Sequence, residues 1–138
     1  MQYAAKLSRE GKFWLVHFPD CPGCRTFGDS EHHALSMAKE ALDGWLEAHL
    51  LTGEAPPKPA RKRGPFVAVD PNIAAAMEVR WLRDQSGLTQ AQLATRLRVS
   101  RPQIAKLENP KSNPSISTLH KVAMALGRRL EVTFAGEG

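Results

Sequence analysis

Ten residues in the middle of the chain, PPKPARKRGP at 56–65, restrict its architecture more than any others. Four prolines and a glycine there forbid a regular helix, because proline locks φ and lacks the backbone donor. Lys58, Arg61, Lys62 and Arg63 hold the segment in water, which predicts a solvated spacer with some affinity for phosphate. The chain accordingly divides into a front domain at 1–55, a linker at 56–65 and a back domain at 66–138. Charge divides at the same place. Residues 1–55 carry five Lys/Arg against eight Asp/Glu, whereas residues 66–138 carry ten against six. An acidic front and a basic back suit partners of different character.

With 138 residues, 42% of them hydrophobic, the chain is long enough for one ordinary domain or two small ones. No run approaches eighteen consecutive apolar residues, and MQYAAKLSREG has no apolar signal core, so neither a membrane span nor an export signal is expected. Two cysteines without an export signal point to the cytoplasm and reduced thiols.

In the front part, Tyr3, Ala5 and Leu7 alternate with polar or small neighbours as a strand does. Glu10–Gly11 offers a turn, FWLVHF (13–18) a second strand closing a hairpin, and 25–28 a short third strand. Asp29 or Ser30 can cap a helix whose apolar face is Leu35, Ala38, Leu42, Trp45, Leu46 and Leu50. In the back part, PFVAV (65–69) reads as a fourth strand, and Asp70–Pro71 starts a helix to about Ser86. Helices at 89–97, 101–108 and 115–126 follow, and RRLEVTF (128–134) alternates as a terminal strand. The fold class is α+β: a small sheet with one helix, then an all-α domain ending in a strand.

The segment LTQAQLATRLRVSRPQIAKLEN (88–109) carries the functional signal. Thr89 caps a helix that buries Leu93 and Leu97, and Ala94 is small enough for another helix to cross closely. Val99 is expected to plug the turn, Ser100 caps the next helix, and Ile104 and Leu107 face inward. This is the pattern of a helix-turn-helix, whose second helix enters the major groove of DNA. Removing the core positions leaves Arg101, Pro102, Gln103 and Lys106 on its outer face. Arginine reads guanine and glutamine reads adenine through paired hydrogen bonds. Lys106, Gln90 and Asn109 suit phosphates.

This part resembles the Xre-like helix-turn-helix family over about residues 77–127. Arg98 stands where that family often has glycine, and it could supply a further phosphate contact. FPDCPGCRTFGDSEHHALSMAKEALDGWL resembles the signature of HicB antitoxins: a strand, an FPD-x-PG loop, a T-x-GD-[ST] strand end, then a helix. His32 and His33 take places where acidic residues are common in that family. VDPNIAAAMEV and GRRLEVTF also resemble HicB proteins with an Xre-type domain. The resemblance implies a degenerate RNase H-like fold in front and a DNA-binding domain behind. It further implies a HicA-type toxin as partner, a small ribonuclease with a double-stranded-RNA-binding-like fold, and operator double-stranded DNA as ligand.

CPGC (21–24) invites a metal or redox reading, but Pro22–Gly23 are the residues of a type II turn, which alone brings Cys21 and Cys24 together. Zinc would need two further ligands, and a thioredoxin-type site needs its first cysteine at a helix N-terminus. Asp20, Asp29, Glu31 and Asp43 fall in loops or on a polar helix face rather than converging as paired-metal nuclease chemistry requires. No catalytic residue, metal or cofactor is therefore expected. The expected protein is an antitoxin that binds its toxin in front and its own operator behind. It would act as a homodimer or larger homo-oligomer, its terminal strand pairing between copies, and a fragment covering 1–70 would keep toxin binding. The rival readings are a free-standing regulator with a sensory front domain and an active nuclease.

Overall fold

The structure, a computed structural model, describes residues 1–136. Five short strands and five helices follow one another: β1 (Gln2–Ala4), β2 (Lys6–Glu10), β3 (Phe13–His17), β4 (Arg25–Gly28), α1 (Glu31–Leu51), β5 (Phe66–Ala68), α2 (Pro71–Gln85), α3 (Gln90–Leu97), α4 (Arg101–Leu107) and α5 (Ile116–Ala125). Strands β2, β3 and β4 form an antiparallel sheet in that order, with Leu7 opposite Val16 and Val16 opposite Thr26. Helix α1 lies across this sheet. Its buried residues Ala34, Ala38, Leu42, Leu46 and Leu50 recur at the spacing of one helical face. Ser30 caps it, accepting from the His33 N–H at 3.0 Å. Gly28 is required at the close approach: a Cβ there would lie 2.4 Å from the Ala34 backbone nitrogen.

The opening strand is not continuous. It breaks at Ala5, whose N–H donates to the Pro65 carbonyl at 2.8 Å. Only its second half pairs with β3; its first half pairs antiparallel with β5, Tyr3 opposite Val67. The strand expected to open the back domain at 65–69 thus completes the front one. The reason is apolar burial: Val67 and Val69 join Tyr3, Val16, Phe18 and the α1 leucines in one core.

Helix α2 buries two sides. Ile73, Ala76, Met77 and Trp81 enter that front core, while Val79, with Leu82 against it, enters a second core built on Leu93, Ala94, Ile104, Leu107 and Val122. A helix wedged between two cores joins the halves rigidly, so the expected boundary at residue 66 does not separate two independently packed units. The linker is no free spacer either. Trp81 Nε1 donates to the Pro56 carbonyl at 2.7 Å, the Tyr3 hydroxyl donates to the Pro57 carbonyl, and Asp20 accepts from the Ala60 and Arg61 N–H groups at 2.9 and 3.1 Å. Proline withholds donors but leaves carbonyls, and two aromatic donors take them up.

Residues 128–134, expected as a strand, carry no regular structure. They line a cleft with α2, α5 and the end of the β1–β5 ladder at Met1 and Val69, without adding to that ladder. Among the described residues no helix is long and apolar enough to cross a membrane.

Candidate nucleic-acid interface

Helix α3 begins with a capping box: Thr89 accepts from the Gln92 N–H at 3.1 Å, and the Gln92 side chain accepts from the Thr89 N–H at 2.9 Å. Helix α4 repeats the device, with Ser100 accepting from the Gln103 N–H and Gln103 Oε1 accepting from the Ser100 N–H at 2.8 Å. Between them Arg98 ends α3 in the left-handed conformation, φ 59° and ψ 42°. It is the one non-glycine residue of positive φ among the described residues, at the position where glycine would be at ease. Val99, expected to plug the turn, is instead 39% exposed. Its N–H, not its side chain, closes the turn by donating to the Ala94 carbonyl at 3.0 Å.

Leu93, Ala94, Ile104 and Leu107 are buried beneath these helices as the pattern requires. The outer surface presents Arg98, Ser100, Arg101, Pro102, Gln103, Lys106 and Asn109, all exposed. Neither Arg101 nor Lys106 forms an ion pair among the described residues, so both charges remain available. Three of the sequence-predicted contacts have intramolecular duties. Gln103 Oε1 is engaged by the cap, Asn109 Oδ1 accepts from the Lys111 N–H at 2.9 Å, and half-buried Gln90 donates to Glu108 at 3.3 Å. Arg98, Arg101 and Lys106 make no side-chain hydrogen bond or ion pair among the described residues.

What holds α4 in place was not visible in the motif. Arg83 on α2 grips the Glu108 carboxylate at the end of α4 with two hydrogen bonds, Nε to Oε2 at 2.6 Å and Nη2 to Oε1 at 2.9 Å. A third bond from Arg83 Nη1 reaches the Leu88 carbonyl at 2.9 Å. Both side chains are almost fully buried, 10% and 5% exposed. This planar two-pronged pairing orients the outer face of α4 from a helix that itself does not carry that face. Beside α4 a cleft of about 600 Å³ adds Ser112, Asn113, Ser115, Thr118 and Lys121 to Arg98 and Lys106. Reasoning from the helix-turn-helix alone omitted Lys121; its signal is the Asn-Pro-Ser cap at 113–115 that opens the helix carrying it.

The other candidate residues are accounted for by packing. In CPGC, Cys24 N–H donates to the Cys21 carbonyl at 3.0 Å and Gly23 has φ +88°, the geometry of a turn. Both thiols are buried, which pushes Cys21 up to about 12, helped by Cys24 and Asp20, and Cys24 up to about 11. They stay protonated and unreactive at neutral pH. Asp43 accepts from the Asp70 N–H and from Lys39, both at 3.0 Å, and Asp20 holds the linker, so these carboxylates serve structure. His33 Nδ1 accepts from the Asp29 N–H at 3.0 Å, closing the start of α1. His32 is exposed.

Comparison with known proteins divides the chain in the same order. Residues 3–73 match the family described as HicB-like antitoxin of bacterial toxin-antitoxin systems, and residues 79–132 match the helix-turn-helix family. An antitoxin HicB 2 of Photorhabdus laumondii is 33% identical over 133 residues, covering 96% of this chain and 95% of that protein. An antitoxin HicB 1 of the same organism is 31% identical over 135 residues, covering 96% and 86%. An immunity repressor protein of Bacillus phage phi105 is 40% identical over 55 residues, which covers 40% of this chain and 38% of that protein.

Proposed function

Because the chain belongs to the HicB-like antitoxin family and ends in a helix-turn-helix part, we propose that it neutralises a HicA-type, mRNA-cleaving toxin and represses its own operon. It is an antitoxin with a DNA-binding part, and neither family is enzymatic. The observation that carries the reading is the exposed face of α4, with Arg101 and Lys106 free of ion pairs, in a chain alignable along 96% of its length with an antitoxin.

Arg101 reads guanine in the major groove; Gln103, whose Oε1 is held by its cap, keeps its amide nitrogen as a donor to a purine N7, a contact that adenine and guanine share. Lys106, Arg98, Gln90 and Asn109 bind phosphates, and Ser100 with Pro102 sets the start of the reading helix. Two copies bind two half-sites about one helical turn apart. The unpaired terminal segment supports such a dimer: Val132 is 63% exposed and Phe134 fully so, and Met124 on α5 is 62% exposed. In front, α1 carries Glu40 exposed on its outer side and Glu31 exposed at its first turn, suited to the basic surface with which a ribonuclease holds RNA. Occlusion of that surface needs no catalysis by this chain.

The test is a triple variant, Arg101→Ala with Gln103→Ala and Lys106→Ala. It should rescue cells from the toxin encoded beside it while a promoter reporter is derepressed. Arg101→Ala alone should remove about 1–3 kcal/mol of discrimination at one operator position. Wild-type promoter binding by the triple variant would show that α4 is not the reader, and failure of the neighbouring gene product to co-purify would remove the toxin partner.

A further inference from the structure

The segment 56–65 is too well anchored to be a tether. From one end to the other its backbone is held by Trp81 at Pro56, Tyr3 at Pro57, Asp20 at Ala60 and Arg61, and Ala5 at Pro65. Yet its four cationic side chains reach water. Lys58, Arg61, Lys62 and Arg63 are all exposed. Lys58 Nζ stands 5.4 Å over the Trp81 ring, and Arg61 has only a loose ion pair with Asp20 at 3.9 Å. Four positive groups on a fixed backbone form a charge array whose ordering cost has already been met by folding.

We propose that this strap is a second contact for duplex DNA, gripping the phosphate backbone that flanks the sequence read by α4. The proposal rests on the DNA-binding reading above and adds a surface outside the helix-turn-helix. Its partner follows from the charges. A toxin that holds RNA is itself basic and would be repelled, whereas duplex DNA presents a negative charge about every 1.7 Å along its axis. The strap and α4 are also tied to the same helix, α2. Trp81, which takes the Pro56 carbonyl, lies two residues before Arg83 on α2, and Arg83 grips Glu108 at the end of α4. Phosphates held by the strap therefore stay in register with bases read by Arg101. Asp20, the aspartate of the FPD motif, gains a role as the latch that keeps the array in place.

The test is the salt dependence of binding by the full chain to a promoter duplex with long flanks and to one trimmed to the recognised core. Replacing Lys58, Arg61, Lys62 and Arg63 together by Gln should make the slope of log K against log salt shallower by about 2–3, near 0.9 for each phosphate no longer neutralised. The effect should appear on the long duplex and vanish on the trimmed one, with base preference and toxin neutralisation unchanged. Asp20→Ala keeps the charges but frees the strap, so it should bind the long duplex several-fold more weakly with the slope retained. A wild-type slope for the quadruple variant on the long duplex would overturn the proposal, as would a defect confined to single-stranded RNA. Wild-type protein with no preference for any promoter duplex would instead remove the DNA-binding reading beneath it.

Discussion

Arg98 sits in a backbone conformation that the fold alone does not favour. Its left-handed backbone, φ 59°, crowds the Cβ of any L-residue other than glycine, at a cost of about 1–2 kcal/mol. Nothing in the turn repays that cost: the guanidinium is exposed and its N–H bond to the Thr95 carbonyl, 3.2 Å, would survive in glycine. Arg98→Gly should therefore raise stability by about 1 kcal/mol, read as a higher urea midpoint at unchanged slope. The same change should weaken binding to every duplex alike, since a phosphate contact carries no sequence information. Lower stability in the variant would mean that the arginine holds the turn. His33 and Gly28 belong to the same class of detail: each serves the junction of β4 with α1, one by accepting the Asp29 N–H, the other by having no Cβ.

Among the elements, α2 and α4 depend on one another through the Arg83–Glu108 pair. A buried ion pair adds little net stability over apolar residues of the same shape, but removing one partner strands the other. Glu108→Gln should cost about 1–3 kcal/mol in urea unfolding, because Arg83 keeps its charge in a site only 10% exposed with Asp84, at 3.8 Å, as its one remaining carboxylate. Arg83→Met combined with Glu108→Leu should recover most of that loss while still binding the promoter poorly, since α4 then lacks its two-pronged alignment. If the single and double variants lose stability equally, the pair is not what sets the position of α4. Strand β5 depends on β1 in a similar way. Three residues alone cannot persist as a strand, and Val67 opposite Tyr3 gives this one its place.

For the molecule as a whole, the two cores share α2, and this changes how the chain can be cut. A fragment ending at residue 70 keeps β5 but loses Ile73, Ala76, Met77 and Trp81, four buried members of the front core. It also loses the donor that holds Pro56. Residues 1–70 should be poorly folded and fail to protect cells from the toxin, whereas 1–86 should fold cooperatively, protect, and leave the promoter derepressed. Circular dichroism melts of the two fragments check the first half, and growth rescue with a reporter checks the second. Cooperative folding of 1–70 would show that α2 is dispensable to the front part. Further ties cross between the halves, Lys111 to Glu47 at 3.7 Å and Arg80 to the Gly53 carbonyl at 2.8 Å.

Local information was enough for most elements. Caps at Ser30, Asp70, Thr89, Ser100 and Ser115 are nearest-neighbour hydrogen bonds, so each helix start is legible a few residues at a time. The leucine spacing of α1, the Pro-Gly turn at 22–23 and the outer face of α4 follow from the same short-range periodicities. Pairing between distant segments was not legible, because a strand pattern states which face is apolar but not which edge will meet it. That is why the pattern at 65–69 does not reveal its pairing with β1, and why 128–134 alternates as a strand does yet pairs with no edge among the described residues. Charge misled in a related way. Four cations and four prolines describe a segment that water will tolerate, but the carbonyls that prolines keep, met by Tyr3, Trp81 and Asp20 only after folding, turn it into a fixed strap.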